Sequence, residues 1–258
     1  MPKFSANLSM MFTELPFLER FEAAAKSGFK AVEYVSPYEV PMEQVAERLK
    51  RNGLTQALFN LPAGNWAAGE RGIACLPDRI AEFKTGVGTA INYAKAMGCT
   101  TLNVLAGIKP EAVARDKAMA TLIANATFAA AELANAGILL VIEPINFYDI
   151  PGFLLNRSSD GLGVMDAVGS ANLKLQYDLY HMQRMEGEIA ATVERLLPRI
   201  GHIQIADNPG RHEPGTGEMN YRYLFCHLDR IGYQGWVGCE YKPKTATTDG
   251  LGWMTELL

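Results

Sequence analysis

The sequence has few cysteines, and their spacing excludes several classes of protein. The four cysteines among 258 residues are Cys75, Cys99, Cys226 and Cys239, and they form no C-x-x-C pair. This pattern matches neither a zinc ribbon nor a disulfide-rich secreted scaffold. The N-terminus lacks a continuous apolar segment, because Glu14 and small polar residues interrupt it, so neither a signal peptide nor a transmembrane helix is predicted. We therefore expect a cytoplasmic protein that does not enter a membrane.

The chain also lacks an excess of positive charge. It has 24 Lys and Arg residues against 28 Asp and Glu residues, a formal net charge of -4. Such a balance gives no general attraction to a phosphate backbone, so nucleic acid is not expected as a partner. Hydrophobic residues make up 48% of the chain and charged residues 20%, a composition that is typical of globular proteins and excludes a disordered or collagen-like chain.

Short β-rich segments alternate with longer Ala-rich segments of helical pattern. The strand candidates are FSAN (4–7), AVEY (31–34), LTQALFN (54–60), TLNVLA (101–106), ILLVIE (138–143), LKLQYD (173–178), HIQIAD (202–207) and WVGCE (236–240). Eight such βα units, each of roughly 33 residues, predict an α/β fold, a (β/α)8 TIM barrel formed by a single domain over residues 1–258. A doubly wound open sheet is the competing architecture, but it usually has a Gly-rich turn after its first strand, and residues 7–14 contain no glycine.

Polar side chains at the ends of strands five to eight are the candidates for catalysis, since barrel active sites lie at the C-terminal ends of the strands. Glu143, Asp178 and Glu240 end three of these strands, and Gln204 lies on the seventh. If the period-two faces that carry them point inward, the three carboxylates converge. Crowded carboxylates raise one another's pKa unless a cation lies between them. Oxygen ligands favour Mg²⁺ or Mn²⁺ over zinc.

Two long connections follow strands three and seven, at residues 61–77 and 207–219, and loops of this length often bind ligands. Arg71 lies in the first loop and Arg211 in the second. Either guanidinium could bind a substrate carboxylate, or it could simply face solvent. His181, three residues after Asp178, could orient a substrate oxygen or could be a structural histidine.

Several long motifs resemble the hydroxypyruvate isomerase family of the xylose-isomerase-like barrels, which includes 2-oxo-tetronate isomerases. They are SANLSMMF, NLPAGNWAAGERGIACLP, IEPIN, QYDLYHMQRMEGE, HIQIADNPGRHEPGTGEMNY and GWVGCEYKP. The resemblance implies a divalent-metal isomerase in which Glu143 and Glu240 are both metal ligands and the proton-transferring pair. Asp178 and Gln204 then complete the metal shell. Ketose epimerases of the wider superfamily usually have a histidine where this chain has Gln204, a change that favours harder metals. The resemblance is also compatible with a homo-oligomer.

The chemistry expected of these residues agrees with the resemblance. Moving a carbonyl along an α-hydroxy ketone requires removing a proton from one carbon and delivering it to the next through an enediolate. Strands five and eight are three steps apart in a ring of eight, so Glu143 and Glu240 can flank a substrate. The expected partner is a small hydroxy-oxo acid, either hydroxypyruvate or a four-carbon 2-oxo-tetronate.

Three other functions fit the sequence less well. A dehydratase could use the same proton abstraction to expel a hydroxyl group. An AP endonuclease would hold a metal cluster with many histidines, whereas the chain has four histidines in total and a net negative charge. A non-enzymatic sugar-acid binding module would not need two carboxylates placed to move protons.

Overall fold

Eight parallel strands close into a barrel in the computed structural model, which describes residues 1–257. Each strand pairs with the next along the chain, and β8 pairs with β1. The strands are β1 (Lys3–Asn7), β2 (Ala31–Tyr34), β3 (Thr55–Asn60), β4 (Thr101–Val104), β5 (Leu139–Ile142), β6 (Leu173–Asp178), β7 (Ile200–Ile205) and β8 (Trp236–Cys239). The (β/α)8 barrel is therefore confirmed, and the open sheet is excluded. The predicted domain of residues 1–258 ends on Leu258, which lies outside the described residues.

Helices connect the strands and cover the outside of the barrel. They are α1 (Phe17–Lys26), α2 (Met42–Asn52), α3 (Ile80–Met97), α4 (Arg115–Asn135), α5 (Ser158–Val168), α6 (Leu179–Met185), α7 (Ile189–Leu196), α8 (Tyr221–Arg230) and α9 (Trp253–Glu256). In α2, Val45 and Leu49 are buried one turn apart, and Gly53 ends the helix with a φ of 63°. Among residues 1–257, no helix has the length and apolarity that crossing a membrane would require.

The inside of the barrel is closely packed near the N-terminal ends of the strands and carries buried polar groups nearer their C-terminal ends. At Gly201 of β7, an added Cβ would lie 2.7 Å from Val141 Cγ1 and 3.0 Å from both Leu139 Cδ2 and Lys174 Cβ, so side chains of β5 and β6 fill this end. Nearer the C-terminal ends of the strands, Gln176 and Gln204 are buried side by side and hydrogen bonded. The alternation along each strand thus directs polar groups toward one mouth of the barrel.

A buried carboxylate orders the long loop after β7. Asp207 Oδ2 accepts hydrogen bonds from the backbone N–H groups of Gly215 and Gly217, and Oδ1 accepts from those of Asn208 and Met219. Four donors on one buried carboxylate hold the loop in a defined conformation. The loop is therefore a fixed wall of the mouth, and it carries Arg211.

Candidate active site

Four acidic and histidine side chains meet at the C-terminal mouth of the barrel. Glu143 follows β5, Asp178 ends β6, His181 lies in the first turn of α6, and Glu240 follows β8. One ligand atom from each lies within 4.8 Å of the others, and all four side chains are buried. We call these four residues the acidic cluster. The predicted convergence of the three carboxylates is observed, and the structure adds His181 to them.

Two oxygens of the acidic cluster are buried without a hydrogen-bond partner among the described residues: Glu143 Oε1 and Asp178 Oδ2. The other oxygen of each group is satisfied. Asn103 Nδ2 lies 3.2 Å from Glu143 Oε2, and the Tyr180 backbone N–H donates to Asp178 Oδ1 at 2.8 Å. A buried carboxylate oxygen without a partner is costly. The donor set therefore fits a divalent cation, with carboxylate oxygens suited to Mg²⁺ or Mn²⁺ and one imidazole nitrogen beside them.

The electrostatics of the acidic cluster also favour a bound cation. Burial raises the pKa of Glu143 well above its usual range, and the charges of Glu240 and Asp178 raise it further. Burial raises the pKa of Glu240 to about 8, although Arg211 opposes the shift. Burial likewise raises the pKa of Asp178 to about 6, again against Arg211. Positive charge between these groups would favour their ionised forms.

Arg211 lies within the site. Its Nη2 is 3.2 Å from Glu240 Oε2 and 3.4 Å from His181 Nε2, and its Nη1 is 3.3 Å from Asp149 Oδ2. Asp149 Oδ1 in turn accepts from Arg184 Nη1 at 3.1 Å. Arg211 therefore lies beside the carboxylates and does not face solvent, and its contact with a substrate carboxylate stays a prediction.

Arg71 lines the same cavity without contacting the acidic cluster in the structure. Its guanidinium stacks over the Trp66 ring at 4.0 Å and donates to the backbone carbonyls of Trp66 and Glu70 at 3.1 and 2.7 Å. The cavity has a volume of about 1310 Å³ and extends from Arg71 to Glu143, His181, Arg211 and Glu240. Arg71 therefore forms part of the outer wall of the cavity.

Gln204 lies beside the acidic cluster, in the polar layer of the barrel interior. Its Cα pairs in register with that of Asp178. Its Nε2 donates to Glu33 Oε1 at 2.7 Å, and its Oε1 accepts from Gln176 Nε2 at 2.7 Å. Both ends of the Gln204 amide are thus hydrogen bonded to the protein.

Several polar residues of the site were not singled out from the sequence. Glu33 lies under Gln204, Asn103 donates to Glu143, and the Asn146 amide nitrogen lies 2.7 Å from His181 Nδ1. A usable signal existed for two of them, because Glu33 in AVEY and Asn103 in TLNVLA each interrupt a short apolar strand. A polar residue within a buried strand indicates an internal partner.

The family follows from comparison with known proteins. A family model described as the xylose isomerase-like TIM barrel matches residues 21–257. The chain belongs to this family. It is 54% identical over 254 residues to a hydroxypyruvate isomerase from Escherichia coli (strain K12), with 98% of each chain covered. It is 51% identical over 258 residues to a 2-oxo-tetronate isomerase from Cupriavidus necator, with 100% of this chain and 99% of the relative covered. The resemblance stated from the motifs is confirmed, and the chain is an isomerase of this family.

Two solved structures share the barrel. A protein from Brucella melitensis, described as an AP endonuclease of family 2, superposes with a TM-score of 0.96 at 45% identity and 99% coverage of both chains. A 3-keto-D-glucoside 4-epimerase from E. coli superposes with a TM-score of 0.82 at 20% identity, covering 99% of this chain and 100% of the epimerase. At this identity, the second likeness concerns the fold alone.

The raised pKa values predict that cation binding strengthens as the pH rises. The pKa of Glu240 is about 8 and that of Asp178 about 6, and a carboxyl group must lose its proton before it can bind a cation. The affinity for Mn²⁺ is therefore expected to increase between pH 6 and pH 8, by up to about tenfold per pH unit for each proton released. Calorimetric titration in two buffers with different ionisation enthalpies measures the affinity and counts the protons.

Glu240→Gln is the control for this pH dependence, because it removes the group with a pKa of about 8. Its Mn²⁺ affinity should be lower and should change less with pH. An affinity that is constant from pH 6 to pH 8 in the unmodified protein would show that cation binding displaces no protons from the acidic cluster.

Proposed function

We propose that the protein is a metal-dependent isomerase of small hydroxy-oxo acids. Its substrates would be hydroxypyruvate, interconverted with tartronate semialdehyde, or the four-carbon 2-oxo-tetronate, interconverted with its 3-oxo isomer. The observation that carries this proposal is the acidic cluster, in which Glu143 and Asp178 each keep a buried oxygen that finds no hydrogen-bond partner within residues 1–257. The names of the relatives that are 54% and 51% identical support the class of substrate.

Glu143, Asp178 and Glu240 would hold the cation, together with Gln204 through the lone pair of its Oε1 that does not accept from Gln176 Nε2. When bound, Mg²⁺ or Mn²⁺ supplies positive charge beside the substrate oxygens that become negative during the reaction. Glu143 and Glu240 would transfer the carbon-bound proton: one carboxylate removes it from the hydroxyl-bearing carbon next to the carbonyl, and the other delivers a proton to the former carbonyl carbon. The hydroxyl proton of the first carbon passes to the oxygen of the second, so the substrate and the product have the same atoms. A base works best when its pKa is near the working pH, and burial moves both glutamates in that direction.

His181 and Arg211 would orient the substrate. Burial lowers the pKa of His181 well below its usual range, and the charges of Arg211 and Arg184 lower it further, so its imidazole is neutral at neutral pH. A neutral ring can hydrogen bond to a substrate oxygen without adding charge. Arg211 presents a guanidinium 3.2 Å from Glu240, where a substrate carboxylate can be bound beside the reacting carbons.

Arg211 and Arg71 are proposed to recognise the substrate carboxylate, because both line the cavity and a guanidinium is a poor base. Replacing the arginine that contacts the substrate carboxylate by lysine is expected to raise KM by a factor equivalent to about 1 to 3 kcal/mol, the range for a charge-assisted hydrogen bond. Arg211 is nearer the acidic cluster, so Arg211→Lys should have the larger effect. Steady-state kinetics of both variants measure it, and an unchanged KM in both would assign the carboxylate contact to other groups.

Deuterium exchange followed by proton NMR tests the proposed function. The purified protein is incubated in D₂O with Mg²⁺ or Mn²⁺ and, in separate samples, with hydroxypyruvate and with 2-oxo-tetronate. The proposal predicts product together with deuterium at one carbon next to a carbonyl. The acid that turns over with the higher kcat/KM identifies the carbon-chain length of the substrate. The cavity volume does not identify it, because about 1310 Å³ admits either acid.

The same samples separate the competing functions. Loss of the substrate hydroxyl would indicate a dehydratase, and binding without exchange would indicate a binding module. Because the relative from Brucella melitensis is described as an AP endonuclease, an oligonucleotide with an abasic site is tested as a further substrate. Cleavage of that oligonucleotide, with no exchange on either acid, would replace the isomerase proposal.

A further inference from the structure

Beneath the site lies a buried carboxylate that the proposed reaction does not use. Glu33, on β2, is 0% exposed. Its Oε1 accepts from Asn7 Nδ2 at 3.2 Å and from Gln204 Nε2 at 2.7 Å. Its Oε2 accepts from Ser5 Oγ at 2.9 Å, and His202 Nε2 lies 2.9 Å away. Each oxygen thus has two partners, which accounts for all the lone pairs of the group.

The barrel makes room for this carboxylate by means of a glycine on β8, which is separated from β2 only by β1. A Cβ added to Gly238 of β8 would lie 2.3 Å from both carboxylate oxygens of Glu33. Real Cβ atoms do not approach oxygen this closely, so any larger residue at position 238 would displace the carboxylate. Glu33 therefore occupies a space that the backbone of β8 leaves open for it.

Glu33 determines the orientation of the Gln204 side-chain amide. A carboxylate accepts hydrogen bonds, whereas an amide donates from one end and accepts at the other. The nitrogen of Gln204 must therefore face Glu33, and the oxygen faces β6, where Gln176 Nε2 donates to it at 2.7 Å. On that strand, Asp178 of the acidic cluster is the register partner of Gln204.

We propose that Glu33 is a positioning residue for cation binding, which keeps the oxygen of Gln204, rather than its NH₂ group, available on the side of the acidic cluster. An amide NH₂ has no lone pair to offer a metal ion, so a reversed amide would remove one ligand. Partners that orient metal ligands in this way typically change metal affinity by about 10- to 100-fold when they are lost. This inference rests on the proposed metal-dependent function.

Glu33→Gln tests the inference with Mn²⁺ alone as the probe. The new amide keeps the shape of the side chain but can donate to Gln204 Oε1, which allows the Gln204 amide to turn around. The affinity for Mn²⁺, measured without substrate by electron paramagnetic resonance of the free ion, is expected to fall by about 10- to 100-fold. Ser5→Ala is the matched control, because it removes one partner of Glu33 and leaves the Glu33–Gln204 contact in place. It should lower Tm without changing the affinity.

A double variant that exchanges the carboxylate and the amide between positions 33 and 204 tests whether the Mn²⁺ affinity can be restored. In the double variant Glu33→Gln/Gln204→Glu, the amide at position 33 can donate to the carboxylate at position 204, which again leaves an oxygen for the cation. Affinity for Mn²⁺ should return to at least that of the unmodified protein. If the Glu33→Gln variant does not fold, the inference is tested on the double variant. Weak Mn²⁺ binding by the folded double variant would overturn the inference.

Failure of this inference and failure of the proposed function give different results. If the unmodified protein binds no Mn²⁺, the metal-dependent function itself is wrong. If the unmodified protein and a folded Glu33→Gln variant bind Mn²⁺ equally well, only the positioning role of Glu33 is wrong, and the carboxylate then serves the stability of the barrel interior.

Discussion

Replacing Glu143 or Glu240 by glutamine is expected to lower kcat by about 10² to 10⁴-fold, the contribution of a positioned acid or base. Glutamine keeps an oxygen that can face a cation but cannot take up a proton from carbon. Both side chains are buried, 4% and 8% exposed, and both belong to the acidic cluster. The replacement is nearly isosteric, so the fold should be retained. Steady-state kinetics on samples saturated with Mn²⁺ measure the loss.

Glu14→Gln is the matched control for these two variants. Glu14 is exposed and lines the outer part of the same cavity, so the same chemical change there should leave kcat unaltered. Because losing a charged ligand can also weaken cation binding, metal content must be determined in every sample. A variant with only one working carboxylate can still exchange the substrate hydrogen with D₂O while failing to form product. If both metal-loaded variants isomerise at nearly the parent rate, the two-carboxylate mechanism is wrong.

Removing divalent cations is expected to abolish activity, and adding Mg²⁺ or Mn²⁺ should restore it. The reason lies in the acidic cluster itself. Without added positive charge, burial and mutual repulsion hold the pKa of Glu143 well above its usual range and that of Glu240 at about 8. Glu240 then keeps its proton at neutral pH for the most part, and burial opposes ionisation of Glu143 in the same direction, so removing the cation weakens both groups as bases. Activity assays after exhaustive chelation, with elemental analysis of the same samples, provide the measurement.

Asp178→Asn separates the cation-binding role from the proton-transfer role. Asp178 contributes charge to the cluster but is assigned no proton in the reaction. The variant should therefore need a higher Mn²⁺ concentration for half-maximal activity, and this effect should be larger than the change in its pH profile. For the chelation experiment, the Tm of the metal-free protein shows whether removal of the cation has unfolded the protein. Full activity of a chelated sample in which no metal is detected would remove the cation from the mechanism.

The barrel could be predicted because its local signals are strong. Buried parallel strands appear as short apolar segments, and the helices between them have a different period. The predicted strand 173–178 has the bounds of β6, whereas the predicted strand 202–207 corresponds to β7 at Ile200–Ile205. The shift arises because Ile200 pairs with Leu175 of β6. Such pairing depends on a neighbouring strand, which the local pattern does not reveal.

By itself, the sequence determined that Glu143, Asp178 and Glu240 would share one mouth, because alternation along a strand decides which side chains face inward and parallel strands end on the same side. Only the tertiary structure decided which partners these residues meet. The contact between Asp149 and Arg211 joins residues 62 apart, and that between Glu33 and Gln204 joins residues 171 apart. The second contact crosses the barrel from β2 to β7 and depends on closure of the ring. Both contacts depend on the radius and register of the barrel, which are properties of the strands together and are encoded in no single segment.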